Sequence, residues 1–93
     1  MDKGEARSVL RAHMARYRTR SYAELAAEIN RLEVCETLGA SGATYQIETQ
    51  VFWDDNQRQN LRVSGAIDDG GLRAFLPLCE DFVMAPDGTI LGE

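Results

Sequence analysis

Residues 45–71, YQIETQVFWDDNQRQNLRVSGAIDDGG, decide the fold. Tyr45, Ile47, Thr49, Val51 and Trp53 alternate with Gln46, Glu48 and Gln50, the period of two that sends one set of side chains to the core face of a strand. Leu61, Val63, Gly65 and Ile67 repeat the pattern against Arg62, Ser64 and Ala66, and their β-branched and aromatic types favour a pleated, half-buried surface. The two runs are expected to pair antiparallel. Asp54–Gln59 is too polar for a core and too long for a two-residue turn, so it is read as the hairpin loop. Gly65 within a strand predicts a bulge or a bulky neighbour lying across it. Asp68, Asp69, Gly70 and Gly71 close the unit as a turn.

Upstream, Ala6, Val9, Leu10, His13, Met14 and Tyr17 fall at helical spacing, which predicts an amphipathic helix from Lys3 to about Tyr17 with Arg7, Arg11 and Arg18 on its other face. Ser21-Tyr22-Ala23-Glu24 has the form of a capping box and starts a short second helix over Leu25, Ala26 and Ile29, with Asn30 as its end. Leu32–Leu38 is read as a first strand, followed by a glycine turn at 39–42. Downstream, Leu72–Leu78 is read as a fourth strand. Glu80–Met84 suits either a fifth strand or a helical turn, and Thr89–Leu91 a short last strand after the turn at Ala85-Pro86-Asp87-Gly88. The order predicts an α+β fold: two N-terminal helices packed on a four- to five-stranded antiparallel meander sheet, in a single domain with a helical layer over 1–31 and the sheet over 32–93.

Ninety-three residues with 44% apolar and 27% charged side chains suit one modest core. No apolar run could span a bilayer and none follows Met1, so the expectation is a cytoplasmic chain without membrane contact. The net charge of −5 is unevenly spread. Residues 1–31 carry seven basic and four acidic side chains; residues 32–93 carry three and eleven. A basic helical layer set against an acidic sheet accounts for this, and the acidic remainder disfavours nucleic acid as a partner of the Arg16–Arg20 segment.

Motifs of known chemistry are missing: there is no G-x-S-x-G, no phosphate-binding G-x-x-x-x-G-K-[ST] and no EF-hand loop. Cys35 and Cys79 have no C-x-x-C spacing, so neither metal nor cofactor is expected. His13 reads as a boundary packing residue. A thiol–imidazole pair between it and either cysteine is chemically possible, but nothing in the spacing brings them together.

Recognition surface is what remains. If Ile47, Val51, Trp53, Val63 and Ile67 face the helices, Phe52 and Ala66 face away, and Phe75 joins them if Leu72, Ala74 and Leu76 point inward. With Arg62 and Arg73 at the rim, Phe52, Arg62, Ala66, Arg73 and Phe75 form a candidate patch for a protein partner or a homodimer. Asp54, Asp55, Asp68 and Asp69 form a candidate acidic surface, which an inhibitor or immunity-type protein could present to a basic enzyme. A small-ligand module or enzyme with a pocket near Tyr45, Trp53 and His13, between helices and sheet, is the remaining reading.

The segments GATYQIE, FWD, NLRV, AIDDGG, RAFLPL, DF and MAPDG, between Gly42 and Gly88, resemble a group of small, uncharacterised bacterial proteins, as does the basic segment around Tyr17–Leu25. The resemblance implies a bacterial, cytoplasmic protein and brings no activity, cofactor or site residue with it.

Overall fold

The structure, a computed structural model, describes residues 1–70 and 77–92. Its elements are α1 (Lys3–Arg18), α2 (Tyr22–Ala26), β1 (Leu32–Leu38), β2 (Thr44–Trp53), β3 (Leu61–Asp68), β4 (Leu78–Met84) and β5 (Ile90–Leu91). The strands form one antiparallel sheet in the order β1-β2-β3-β4-β5, an α+β meander. The reading of Leu72–Leu78 as a strand falls almost wholly on residues outside those described. The strand that pairs with β3 is Leu78–Met84, so the ambiguous Glu80–Met84 segment is a strand and not a helical turn.

Alternation in β2 and β3 is complete. Tyr45, Ile47, Thr49 and Val51 are buried while Gln46, Glu48, Gln50 and Phe52 are exposed, and Leu61, Val63, Gly65 and Ile67 are buried opposite them. On the same face, β4 contributes Phe82 and Met84. Helix α1 lays its stripe of Ala6, Leu10, Met14 and Tyr17 on this surface, over β3 and β4. The buried residues of helix and strands form one core, and each large apolar side chain so buried contributes roughly 1.5–3 kcal/mol.

Gly65 decides how closely α1 approaches. The register runs through it without a bulge, Thr49 on one side and Glu80 on the other. A methyl group added there would stand 2.6 Å from Met14 Sδ and 3.3 Å from Leu10 Cδ1. The glycine is therefore a seat for the helix, the bulky neighbour that the sequence predicts.

The helix ends follow local chemistry. Asp2 caps α1 by accepting from the Glu5 amide at 3.0 Å, and Arg16 and Arg18 stand in the last turn, where cations suit the dipole. Ser21 and Glu24 make the reciprocal capping box, both bonds at 3.1 Å. We expect Ser21→Ala to cost about 0.5–2 kcal/mol, read as a lowered denaturation midpoint; an unchanged midpoint would remove the box from the account. Helix α2 stops at Ala26, short of the expected Asn30. Glu28 and Ile29 bond three residues back instead of four, a tightened last turn. Ile29 then bridges to Val51, and Asn30 takes the left-handed conformation at φ 69°.

Glu5 ties the start of α1 to the β1–β2 turn. Its carboxylate accepts from the Tyr45 hydroxyl (2.7 Å), the Ser41 hydroxyl (2.7 Å) and the Ser41 amide (2.9 Å). A side chain on Gly39 would meet that carboxylate at 2.5 Å, so the turn needs glycine for clearance. These bonds hold the Glu5 pKa below its ordinary value, first through Tyr45 and then Ser41, and they push Tyr45 up to about 12. A carboxyl whose folded pKa is depressed stabilises above its unfolded pKa and loses that contribution as pH falls through the folded value. The melting temperature of Glu5→Gln should therefore lie below wild type at neutral pH, and the gap should close as pH falls below about 4.5. A gap independent of pH would contradict this.

Candidate functional site

The face of the sheet away from α1 is open among the described residues. Cross-strand register places Phe52, Arg62, Val83 and Leu91 in one row, Leu32, Gln50, Ser64 and Asp81 in the next, and Val34, Glu48, Ala66 and Cys79 in a third. The exposed large apolar side chains are Leu32, Val34, Leu38, Phe52 and Leu91, and register puts all five on this face. Phe52, Arg62 and Ala66 thus share the surface inferred from the period of two, while Arg73 and Phe75 lie outside the described residues. Arg62 is held in place by Asp54 (2.8 Å) and Asp81 (2.5 Å).

Three of the five belong to β1, and they lie at an edge that the sequence reading did not single out. Leu32, Val34 and Leu38 are 53%, 48% and 69% exposed. The Gly39 amide donates to the Ala43 carbonyl, which fixes the phase of the β1–β2 ladder. Glu33, Cys35 and Thr37 therefore spend their backbone groups on β2, while those of Leu32, Val34, Glu36 and Leu38 point outward. Among the described residues no strand pairs with this edge. Lysine, proline and a bulge, three usual protections of an edge, are missing from LEVCETL, whose charges are Glu33 and Glu36.

The four aspartates do not form one array. Asp54 and Asp55 follow β2, whereas Asp68 ends β3 at the other end of the sheet, seven residues or roughly 23 Å along the strand from Leu61. They also have local work. Asp54 pairs with Arg62, Asp55 accepts from the Gln59 and Asn60 amides, Asp68 accepts from the Gly70 amide, and Asp69 faces the amino terminus at 3.6 Å. No group of three His, Cys, Asp or Glu side chains that could hold a metal occurs among the described residues. The basic run is similarly engaged: Arg18 lies over the Phe82 ring, and Arg20 lies over Tyr17 and pairs with Glu28 at 3.6 Å. Among the described residues no helix is long and apolar enough to cross a membrane.

A pocket between helix and sheet exists, though not where Tyr45 and Trp53 stand. Tyr45 is buried and bonded to Glu5, and Trp53 lies at the opposite end of β2. Because Gly65 draws α1 over β3 and β4, the β1 side of the inner face is left as a trough. A cleft of about 350 Å³ opens there, lined by Val9, Ala12, His13 and Arg16 from the helix and by Cys35, Thr37 and Ile47 from the sheet.

Within it His13 and Cys35 meet, 22 residues apart in sequence, with Nδ1 3.8 Å from Sγ; His13 Nε2 is 2.9 Å from Thr49 Oγ1. Tyr17 donates its hydroxyl hydrogen to Glu33 at 2.6 Å. The Thr49 hydroxyl can accept from Nε2–H of His13 or donate to a bare Nε2, according to the tautomer. In the tautomer protonated at Nε2 the bare Nδ1 is turned to the thiol. Burial, more than the nearby Arg16, lowers the His13 pKa against the pull of Glu33 and keeps the ring neutral. Burial and the bond to Glu33 push Tyr17 up to about 12.

Cys35 and Cys79 are both free and cannot bridge within one chain. Cys35 faces the helix and Cys79 the open side, on strands separated by two others, or roughly 14 Å. No protein-family model matches the chain, and comparisons with curated proteins and with solved structures find no match.

Proposed function

We propose that the protein is a macromolecular interaction module whose partner is a second copy of itself, joined edge to edge through β1. The carrying observation is the seven-residue free edge with Leu32, Val34 and Leu38 exposed above it. Unpaired backbone groups along an edge with exposed apolar side chains are a template for another strand. The sequence of β1 suits twofold pairing about Cys35. Leu32 then lies opposite Leu38 of the second copy, Val34 opposite Glu36 and Glu33 opposite Thr37, so no carboxylate faces a carboxylate directly. Residues with outward backbone groups meet each other in this register, as an antiparallel ladder requires. The result is a continuous ten-stranded sheet with both α1 helices on one face and the Phe52 rows on the other. A reducing, cytoplasmic setting suits two free thiols.

Light scattering on size-exclusion fractions tests this. The wild type should run at twice the chain mass and Val34→Lys at the chain mass with unchanged circular dichroism, since an edge lysine blocks strand addition. A wild type of single-chain mass at every concentration would overturn the reading.

A further inference from the structure

We propose that the cleft between α1 and β1 is a thiol-reactive site, in which Cys35 attacks anionic low-molecular-weight disulfides with His13 as its base and Arg16 as its anion contact. The site faces the helix side of the sheet and its parts all come from one chain, while pairing about Cys35 would set the second copy's Cys35 opposite it. Its parts are on separate elements brought together by the fold. Cys35 Sγ lies 3.8 Å from His13 Nδ1, and Thr49 Oγ1 at 2.9 Å can accept from a protonated Nε2, the tautomer in which the atom turned to the thiol is a proton acceptor. The cleft of about 350 Å³ gives a small molecule room to reach the sulfur. Arg16 lines its rim, is exposed, and makes no ion pair among the described residues. Glu33 and Glu36 on β1 are the acidic groups nearby, and Glu33 is already committed to Tyr17.

The step balances without a metal or redox cofactor. The Cys35 proton passes to His13 Nδ1, and the sulfur forms a new bond to one sulfur of the disulfide while the old sulfur–sulfur bond breaks. The departing thiolate takes the proton from the imidazolium. Cys35 ends as a mixed disulfide, and half of the disulfide leaves as a thiol. The imidazolium formed in transit is stabilised by the charge of the nearby Glu33 carboxylate. Reactivity of this kind follows thiolate access and a nearby cationic group more than exposure alone.

Cys79, the more exposed thiol, is the internal control. Cys79→Ser and Cys35→Ser each leave one thiol, to be titrated with dithiobis(nitrobenzoate), a dianionic aromatic disulfide, and with neutral dithiodipyridine. Cys35 should react with the dianion about fivefold faster than Cys79 or more, and His13→Gln should abolish that advantage. Arg16→Gln, at an exposed position, should slow the dianion about threefold and leave the neutral probe unchanged. Where His13→Gln fails to fold, the comparison of the two thiols and the Arg16→Gln selectivity decide. Cys35 reacting no faster than Cys79, a His13→Gln rate equal to that of the parent, or an Arg16→Gln effect equal for both probes would each overturn the proposal.

Discussion

Gly65→Val is expected to destabilise the protein by about 1–3 kcal/mol, the range for overfilling a packed core. The added Cβ would meet Met14 Sδ and Leu10 Cδ1, both on fully buried side chains. In a strand, valine is ordinarily the better residue, so local propensity predicts the opposite sign. The helix seat therefore competes directly with strand preference, and contact should win. Met14→Ala in the same chain should return part of the loss, because it clears the space the valine needs, and the two changes should couple by more than about 0.5 kcal/mol. A Gly65→Val protein as stable as wild type, or additive effects in the double mutant, would mean that α1 does not sit on this glycine.

Leu10→Ala should cost more, about 2–5 kcal/mol, as truncations of buried leucines do. Leu10 is 1% exposed at the centre of the α1 stripe, between Ala6 and Met14. Helix α1 covers β3 and β4, while α2, five residues long, buries only Leu25 among its own residues. A cavity under Leu10 therefore loosens the main contact between the layers. Urea unfolding should show a lower midpoint with an unchanged slope. A loss below about 0.5 kcal/mol, the size of a surface effect, would contradict the burial.

How far these residues could be read in advance depended on the range of the interaction. The alternation from Tyr45 to Ile67 encodes the hairpin, its register and its inner face, because a period of two has only two settings and one buries the apolar set. The Ser21–Glu24 box is equally local and equally legible. Asp2 followed by Glu5 is a capping signal of the same kind that the reading passed over. β4 was ambiguous because Phe82 and Met84 alternate with Asp81 and Val83 over a span too short to separate strand from helix, and Glu80 sits on the inner face beside Arg11 at 3.9 Å.

The candidate surfaces divide in the same way. Phe52, Arg62 and Ala66 on one face follow from strand period alone. The exposed edge does not, because β1 turns its apolar Leu32, Val34 and Leu38 outward and its half-buried Cys35 and Thr37 inward, the reverse of what hydrophobicity favours. Nor does the meeting of His13 with Cys35. It depends on where α1 lies across the sheet, and that is set by the contact of Met14 with Gly65, which is far from both in the chain. The aspartates mislead for a related reason: Asp55 and Asp68 are recruited for local backbone bonds at opposite ends of β3, Asp54 pairs with Arg62 and Asp69 with the amino terminus, and composition alone cannot separate that from a charge array.

Amide hydrogen exchange along β1, measured by NMR on concentrated and dilute samples, tests the edge-to-edge assembly most directly. Cys35 and Thr37 bond to β2 within the chain and should be protected at both concentrations, whereas the amides of Val34 and Glu36 point outward and can be protected only by a second copy. The account predicts Val34 and Glu36 protected by about tenfold or more when concentrated, with the protection lost on dilution. Exchange at Val34 and Glu36 that is fast and the same at both concentrations, with Cys35 and Thr37 still protected, would contradict it.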